Sequence, residues 1–239
     1  LTNKKGCARC GITIQQAAHC PNVYNLCNKC YVAREEELKL VDIFYQIPDK
    51  MSQGVELVLE GLKEVYPNLN LDNGHFAQTP SRVARMFIEL CAGLGQDPAV
   101  HLQTSFEESD YGGIILIKDI QFTSLCAHHF AIFRGKAHVG YIPKNKRIIG
   151  LSKINRIVEI LAARPQVQEQ LTFQIADTIY KALKPKGIAV VVEAEHDCIA
   201  VRGVKSKGST TKTSEMRGIF LKNYRQCKDE FMSLIAEEK

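Results

Sequence analysis

The chain has 239 residues, 45% hydrophobic and 24% charged, an ordinary globular balance, and a length that suits one good-sized domain with an appendage. No apolar run approaches the ~20 residues a membrane helix needs, and no secretory signal pattern follows Leu1. The net charge of +5 sits in the first 34 residues, where Lys4, Lys5, Arg9, Lys29 and Arg34 meet no acid; the 26 basic and 26 acidic residues beyond them balance, which speaks against a nucleic-acid role for the whole chain.

Five of the nine cysteines lie within residues 7–30. An odd count without a secretion signal argues for metal ligands in a reducing, cytoplasmic compartment rather than a disulfide framework. Cys7-x-x-Cys10, sixteen residues, then Cys27-x-x-Cys30 is the spacing of a structural four-cysteine zinc site, a ribbon or knuckle. The competing reading is free cysteines in an arm. Four thiolates on zinc leave negative charge that the five nearby cations offset. A contact module for nucleic acid or protein is the other use of that charge, and it is disfavoured because Tyr24 and Tyr31 are the segment's only aromatics. Residues 35–49 read as a linker, and 50–239 as the main domain.

Apolar residues at 55, 58, 59, 62 and 65 mark a helix over 52–65. Thr79-Pro80 opens a second helix, which stops at Gly93 and Gly95. Residues 113–122 and 134–142 read as strands, with a turn around Lys144-Asn145-Lys146. Ser152 is expected to cap a helix over about 153–163 that Pro165 breaks, and another helix covers 167–183. Strands are expected at 187–195, 198–204 and 210–220, and an amphipathic helix at about 223–237. Strand pairs flanking a helix pair predict an α+β domain with an antiparallel sheet.

Cys126-Ala127-His128-His129 follows the first of these strands, and Cys126 and His129 can face one point across a tight turn. His196-Asp197-Cys198 lies between two expected strands. Three such ligands leave zinc a fourth position for water. From spacing alone, a catalytic zinc site and two buried cysteines among unrelated histidines are equally good readings. If 198–204 continues as a strand, His196, Cys198, Ala200 and Arg202 share one face. Gly150-Leu151-Ser152-Lys153-Ile154-Asn155-Arg156 offers a helix start with two cations, either an anion site or an ordinary capped surface helix. Gln168 and Glu169 either read an amide-like base edge or form a polar first turn.

Taken together, CAHH, YIPKNKRIIGLSKINRIVEILAARPQVQEQLT, EAEHDCIAVRGV and TSEMRGIF, in this order and after TPSRVARMF, closely resemble type I GTP cyclohydrolase over roughly residues 50–237. The resemblance implies a tunnelling fold, an antiparallel sheet with helices on one face. It implies a homo-oligomer, a decamer of two pentamers with sites at subunit interfaces, and an allosteric enzyme. GTP would be opened at C8, formate released and 7,8-dihydroneopterin triphosphate formed. By matching position, Cys126, His129 and Cys198 would hold the catalytic zinc, and His128 and His196 would move protons. Gln168 and Glu169 would hold the guanine edge. Ser152, Lys153, Arg156 and Arg202 would bind the triphosphate and ribose side, with Arg82 from a neighbouring subunit. The sequence departs from the family pattern at Ala127 (Glu in the family), Gln170 (Arg) and Asp197 (apolar or aromatic). Those departures also admit a relative acting on another purine or pterin. A zinc-bearing binding protein without turnover is the reading from another class.

Overall fold

The computed structural model describes residues 49–72, 74–102, 106–107, 111–221 and 225–236; Cys7, Cys10, Cys27 and Cys30, and the linker up to residue 48, lie outside them. The chain divides into two compact units between Met86 and Phe87. No helix among the described residues is long and apolar enough to cross a membrane.

The first unit contains α1 (Asp49–Val65) and the start of α2 (Thr79–Leu90). The stripe read from the sequence is helical, and Leu57, Val58, Leu62 and Val65 of α1 are exposed. Gln78 rather than Thr79 organises the start of α2. Its carbonyl accepts from Ser81 Oγ and from the Arg82 N–H, and its Oε1 accepts from the Arg82 guanidinium at 2.9 Å.

In the second unit, β1 (Phe106–Glu107) pairs with β4 (Arg147–Ile148). The main sheet has the order β5-β2-β3-β6-β7, formed by β2 (Ile115–Cys126), β3 (Ile132–Ile142), β5 (Pro165–Gln166), β6 (Gly187–His196) and β7 (Thr210–Gly218). All its neighbours are antiparallel except β2 and β5. Side chains alternate across a strand, so Phe133, Ala137, Val139 and Tyr141 of β3 face the same way as Ile188, Val190, Val192 and Ala194 of β6. That face packs against α3 (Leu151–Ala162), through Ile154, Ile157, Val158 and Leu161, and against α4 (Gln168–Leu183), through Leu171, Ile175 and Ile179. Burying each such side chain stabilises the fold by about 1.5–3 kcal/mol. The opposite face carries a smaller core, where Phe231 of α6 (Arg225–Ile235) meets Ile114, Ile142, Ala189, Val191 and Phe220. Gly140 makes room for it, since a Cβ there would lie 2.7 Å from the Phe231 ring.

Strand β2 holds a bulge between Ile117 and Ile120. Asp119 is left-handed (φ 59°), and its N–H is accepted by Nδ1 of buried His138 at 3.3 Å. Burial pulls His138 below its ordinary pKa, which favours the neutral ring that can accept.

Two expectations fail. Residues 198–204 do not form a strand. Asp197–Ala200 is a single helical turn, α5, closed by the Val201 N–H on the Asp197 carbonyl. Left-handed Gly203 and Lys205 then turn the chain further. The branched Ile199 and Val201 suggested a strand, but Arg134 of β3 grips the Asp197 carboxylate at 3.1 and 3.3 Å where the turn begins. The cap of α3 is Gly150, in extended conformation and without a side-chain cap bond; Ser152 lies inside the first turn.

Along the outer strand, Asp177 of α4 holds Arg217 of β7 at 2.7 Å and Lys181 at 2.8 Å. The hydrogen bond from Arg217, then that from Lys181, keeps the Asp177 carboxyl below the usual carboxylate range. A depressed folded pKa stabilises the fold above the unfolded value, about 3.9 for Asp, and that contribution is lost as pH falls through the folded value. Thermal unfolding followed against pH is therefore expected to show wild type above Asp177→Asn at neutral pH, with the gap closing below about pH 4. A gap that stays constant to pH 2 would refute the linkage.

Candidate metal and catalytic site

Cys126 is the last residue of β2 and is buried. The chain then reverses within five residues. The Cys126 carbonyl accepts from the N–H groups of His129 and Phe130, and the Cys126 N–H is taken by the Ala131 carbonyl. Phe130 is left-handed (φ 50°). The Ala127 N–H donates to the Gln166 carbonyl, fixing the turn to β5. This reversal brings His129 Nδ1 to 3.9 Å from Cys126 Sγ.

Cys198 arrives from the other side, on α5 directly after β6. The ligand atoms of Cys126, His129 and Cys198 all lie within 4.8 Å of one another. Sulfur and nitrogen donors around tetrahedral zinc, with bonds of about 2.0–2.3 Å, stand roughly 3.5–3.8 Å apart, so small movements suffice to close the set. Burial, and then the neighbouring Cys126, pushes the Cys198 thiol up, while Arg202 pulls the other way. A cation held between the two sulfurs would offset that cost and stabilise the thiolate. The residues present therefore fit zinc. Asp197, bound to Arg134, pins the turn that carries Cys198.

His196 closes β6 and pairs with Phe133 across the sheet. The two rings stack with centroids 4.6 Å apart and planes 2° apart. His196 Nε2 lies 2.7 Å from Gln168 Oε1. Burial lowers the His196 pKa, and the Glu169 carboxylate opposes that. Gln168 is only 2% exposed. Its Nε2 donates to the carbonyls of Val192 (3.1 Å) and Thr211 (2.9 Å) and to Thr213 Oγ1 (3.2 Å). Thr172 Oγ1 donates to the Gln168 carbonyl and sits 2.6 Å from Thr213 Oγ1. Glu169 is exposed beside a cleft lined by Gln170, Thr172, Phe173, Thr213, Ser214 and Glu215. His128 is exposed, its ring 6.2 Å from that of His129.

The structure thus brings Cys126, His129, Cys198, His128 and His196 to one end of the sheet, with Gln168 behind His196. It does not bring Ser152, Lys153 and Arg156 there within one chain. The Ile149 N–H, next to the start of α3, donates to the Tyr141 hydroxyl at the far end of β3. Tyr141 is eight residues along from Phe133, roughly 26 Å of strand. Arg202 is exposed in the turn after α5, and Arg82 belongs to the first unit. Sequence reasoning missed Phe133, Arg134 and His101. The first two depend on the pairing of β3 with β6, which one sequence does not display. His101 has its pKa lowered by burial, then by Arg156 and Lys153, which puts a third basic group near the start of α3.

The sequence profile of GTP cyclohydrolase I matches residues 55–236. The chain is 49% identical over 188 residues to GTP cyclohydrolase 1 of Desulforamulus reducens, covering 79% of this chain and 97% of that one. It is 47% identical over 187 residues to GTP cyclohydrolase 1 of Halalkalibacterium halodurans, covering 78% and 96%. The solved apo structure of the archaeosine synthase QueF-Like aligns over 46% of this chain and 97% of its own, at 16% identity and a TM-score of 0.38. With most of its length matched and its Cys126–His129–Cys198 cluster assembled beside His196, the chain belongs to the GTP cyclohydrolase I family.

Proposed function

We propose that this chain hydrolyses the guanine ring of GTP at C8, releases C8 as formate and closes the remainder to 7,8-dihydroneopterin triphosphate. The observation that carries the reading is the convergence of Cys126, His129 and Cys198 beside a histidine fixed on both its face and its edge. Zinc held by these three residues would supply a Lewis acid and an activated water at neutral pH.

His196 is the group that moves a proton at N7 of the purine, making C8 electrophilic, and exposed His128 exchanges protons with solvent as the ring opens. Two waters are consumed in opening the ring and freeing formate, and one is returned when the new ring closes. Glu169 accepts N–H bonds from the base edge. Ser152, Lys153, Arg156, Arg202 and Arg82 bind the triphosphate and ribose side. Since the start of α3 and the cysteine cluster lie at opposite ends of β3, a site that uses both is completed by a second copy of the chain. This supports a homo-oligomer with shared sites, which we take to be a decamer of two pentamers, allosteric and cytoplasmic. Cys7, Cys10, Cys27 and Cys30 are assigned to a second, structural zinc.

Zinc-loaded protein incubated with GTP and analysed by mass spectrometry is expected to give equal amounts of formate and dihydroneopterin triphosphate. Formate with an opened pyrimidine and no pterin would confine the reaction to its first half. GTP left intact by zinc-verified protein would overturn the reading.

A further inference from the structure

We propose that Gln168 is a positioning residue that fixes the tautomer of His196, leaving Nδ1 as the ring nitrogen that meets the substrate. The inference rests on the reading of His196 as the proton carrier for a purine.

The orientation of the Gln168 amide is decided by its partners. The carbonyls of Val192 and Thr211 are acceptors only, and both lie within 3.1 Å of the atom that must therefore be the NH2. The amide oxygen then faces His196 Nε2 at 2.7 Å. An amide oxygen only accepts, so Nε2 must carry the hydrogen. In the neutral ring, Nδ1 is the bare nitrogen. In the charged ring, the Nδ1 proton is the one free to leave, and its transfer to the purine returns neutral imidazole with Nε2–H still bonded to Gln168.

Rotation is blocked as well. The Phe133 ring lies parallel to the imidazole at 4.6 Å and is itself fully buried. Phe133 sets the ring plane and Gln168 sets the edge. The Gln168 carboxamide is in turn held by β6, β7 and Thr213. With its oxygen and nitrogen spent inside the protein and 2% of its surface exposed, Gln168 acts through His196 rather than on the base edge. The neighbouring exposed Glu169 is the one free to touch a ligand.

The test has two parts. Magic-angle-spinning 15N NMR of histidine-labelled, zinc-loaded wild type, without GTP, reads the tautomer directly, with His196 assigned by subtracting the His196→Gln spectrum. Nε2–H with bare Nδ1 is expected; Nδ1–H with bare Nε2 would overturn the proposal, even in a fully active enzyme. For turnover, Gln168→Met removes the acceptor at similar length, and Gln168→Glu keeps an oxygen facing Nε2. The Met variant is expected to lower kcat for formate release roughly 100-fold with KM for GTP within about threefold, and the Glu variant to recover part of kcat. A raised KM with unchanged kcat in the Met variant would instead make Gln168 a base contact and refute the positioning role. If a variant does not fold, the wild-type spectrum decides alone. Failure of wild type to consume GTP would strike the proposed function and leave the tautomer result standing.

Discussion

Replacing Cys198 with alanine is expected to strip zinc from the catalytic cluster and to cut formate release from GTP on the order of 10³-fold or more, with the fold retained. The cluster offers three ligand atoms within 4.8 Å, and losing one leaves two, too few for a stable site in which water takes the remaining position. Lewis-acid stabilisation of developing charge is worth several kcal/mol, and each 1.4 kcal/mol is about tenfold in rate. Cys198 is half-buried on a four-residue helical turn held by its own backbone bond and by Arg134 on Asp197. A small residue there should leave the sheet intact. The corresponding change at Cys126 is a poorer test, because that side chain is buried in the main core. Metal analysis, unfolding and formate release measured on the same preparation give the answer. Full zinc occupancy of this cluster with normal turnover in Cys198→Ala would remove Cys198 from the site.

A large loss of stability is expected from adding a side chain at Gly93. The helical turn Ala92–Gly95 abuts the last turn of α3, where carbonyls lack intrahelical partners. The Gly93 N–H donates to the Ala163 carbonyl at 2.9 Å, and the Gly93 carbonyl accepts from Arg164 Nε at 2.9 Å. A Cβ at Gly93 would stand 2.0 Å from the Ile160 carbonyl oxygen and 2.8 Å from that of Ala163. Both are backbone atoms and cannot swing aside, so Gly93→Ala must separate the turn from the helix and break these bonds. A cost of about 3 kcal/mol or more is expected in denaturant unfolding. Gly95→Ala, where nothing lies within 4 Å of the added Cβ, is the control and should change stability little. The damage should reach the metal cluster too. The Arg164 carbonyl accepts from Ser124 Oγ, and the Gln166 carbonyl holds the Ala127 N–H, so the segment after α3 backs the turn between Cys126 and His129. Equal stabilities of the two variants would mean that the turn is not clamped.

Much of the fold was legible because its elements obey periodicity. The apolar stripe around Leu59 read directly as a helix, and 113–122 and 134–142 read as strands. The grouping of Cys126, His129 and Cys198 was legible because Cys and His at strand ends are few. What escaped were features decided by tertiary pairing. Residues 198–204 have the branched composition of a strand, and only the grip of Arg134 on Asp197 and the left-handed residues beyond show why they turn. The support of His196 was hidden for the same reason. Phe133 is 63 positions away, and nothing in one sequence says that it lies opposite. Gln168, adjacent to Glu169, looked like its partner at a base edge, yet the start of α4 buries the first residue and exposes the second. Ser152 looked like a cap, and an extended Gly150 took that place without a side chain.

The bulge in β2 carries a further meaning. Before it, Ile117 pairs with Val139 on the helix-covered face; after it, Ile120, Phe122 and Ser124 return to that face opposite Ala137, Gly135 and Phe133. The extra residue shifts the strand from odd to even numbers, and Cys126 inherits the even parity. Cys126 therefore stands on the same side of the sheet as His196 because one residue has been counted twice, at a bulge whose left-handed Asp119 is held by His138. Removing one residue there would leave the strand equally long-ranged and equally hydrophobic in composition, but would turn the thiol through the sheet, away from Cys198. The corner that gathers Cys126, His129 and Cys198 is thus set by counting, some seven residues upstream of Cys126, and a bulge outside that corner decides whether the three can meet.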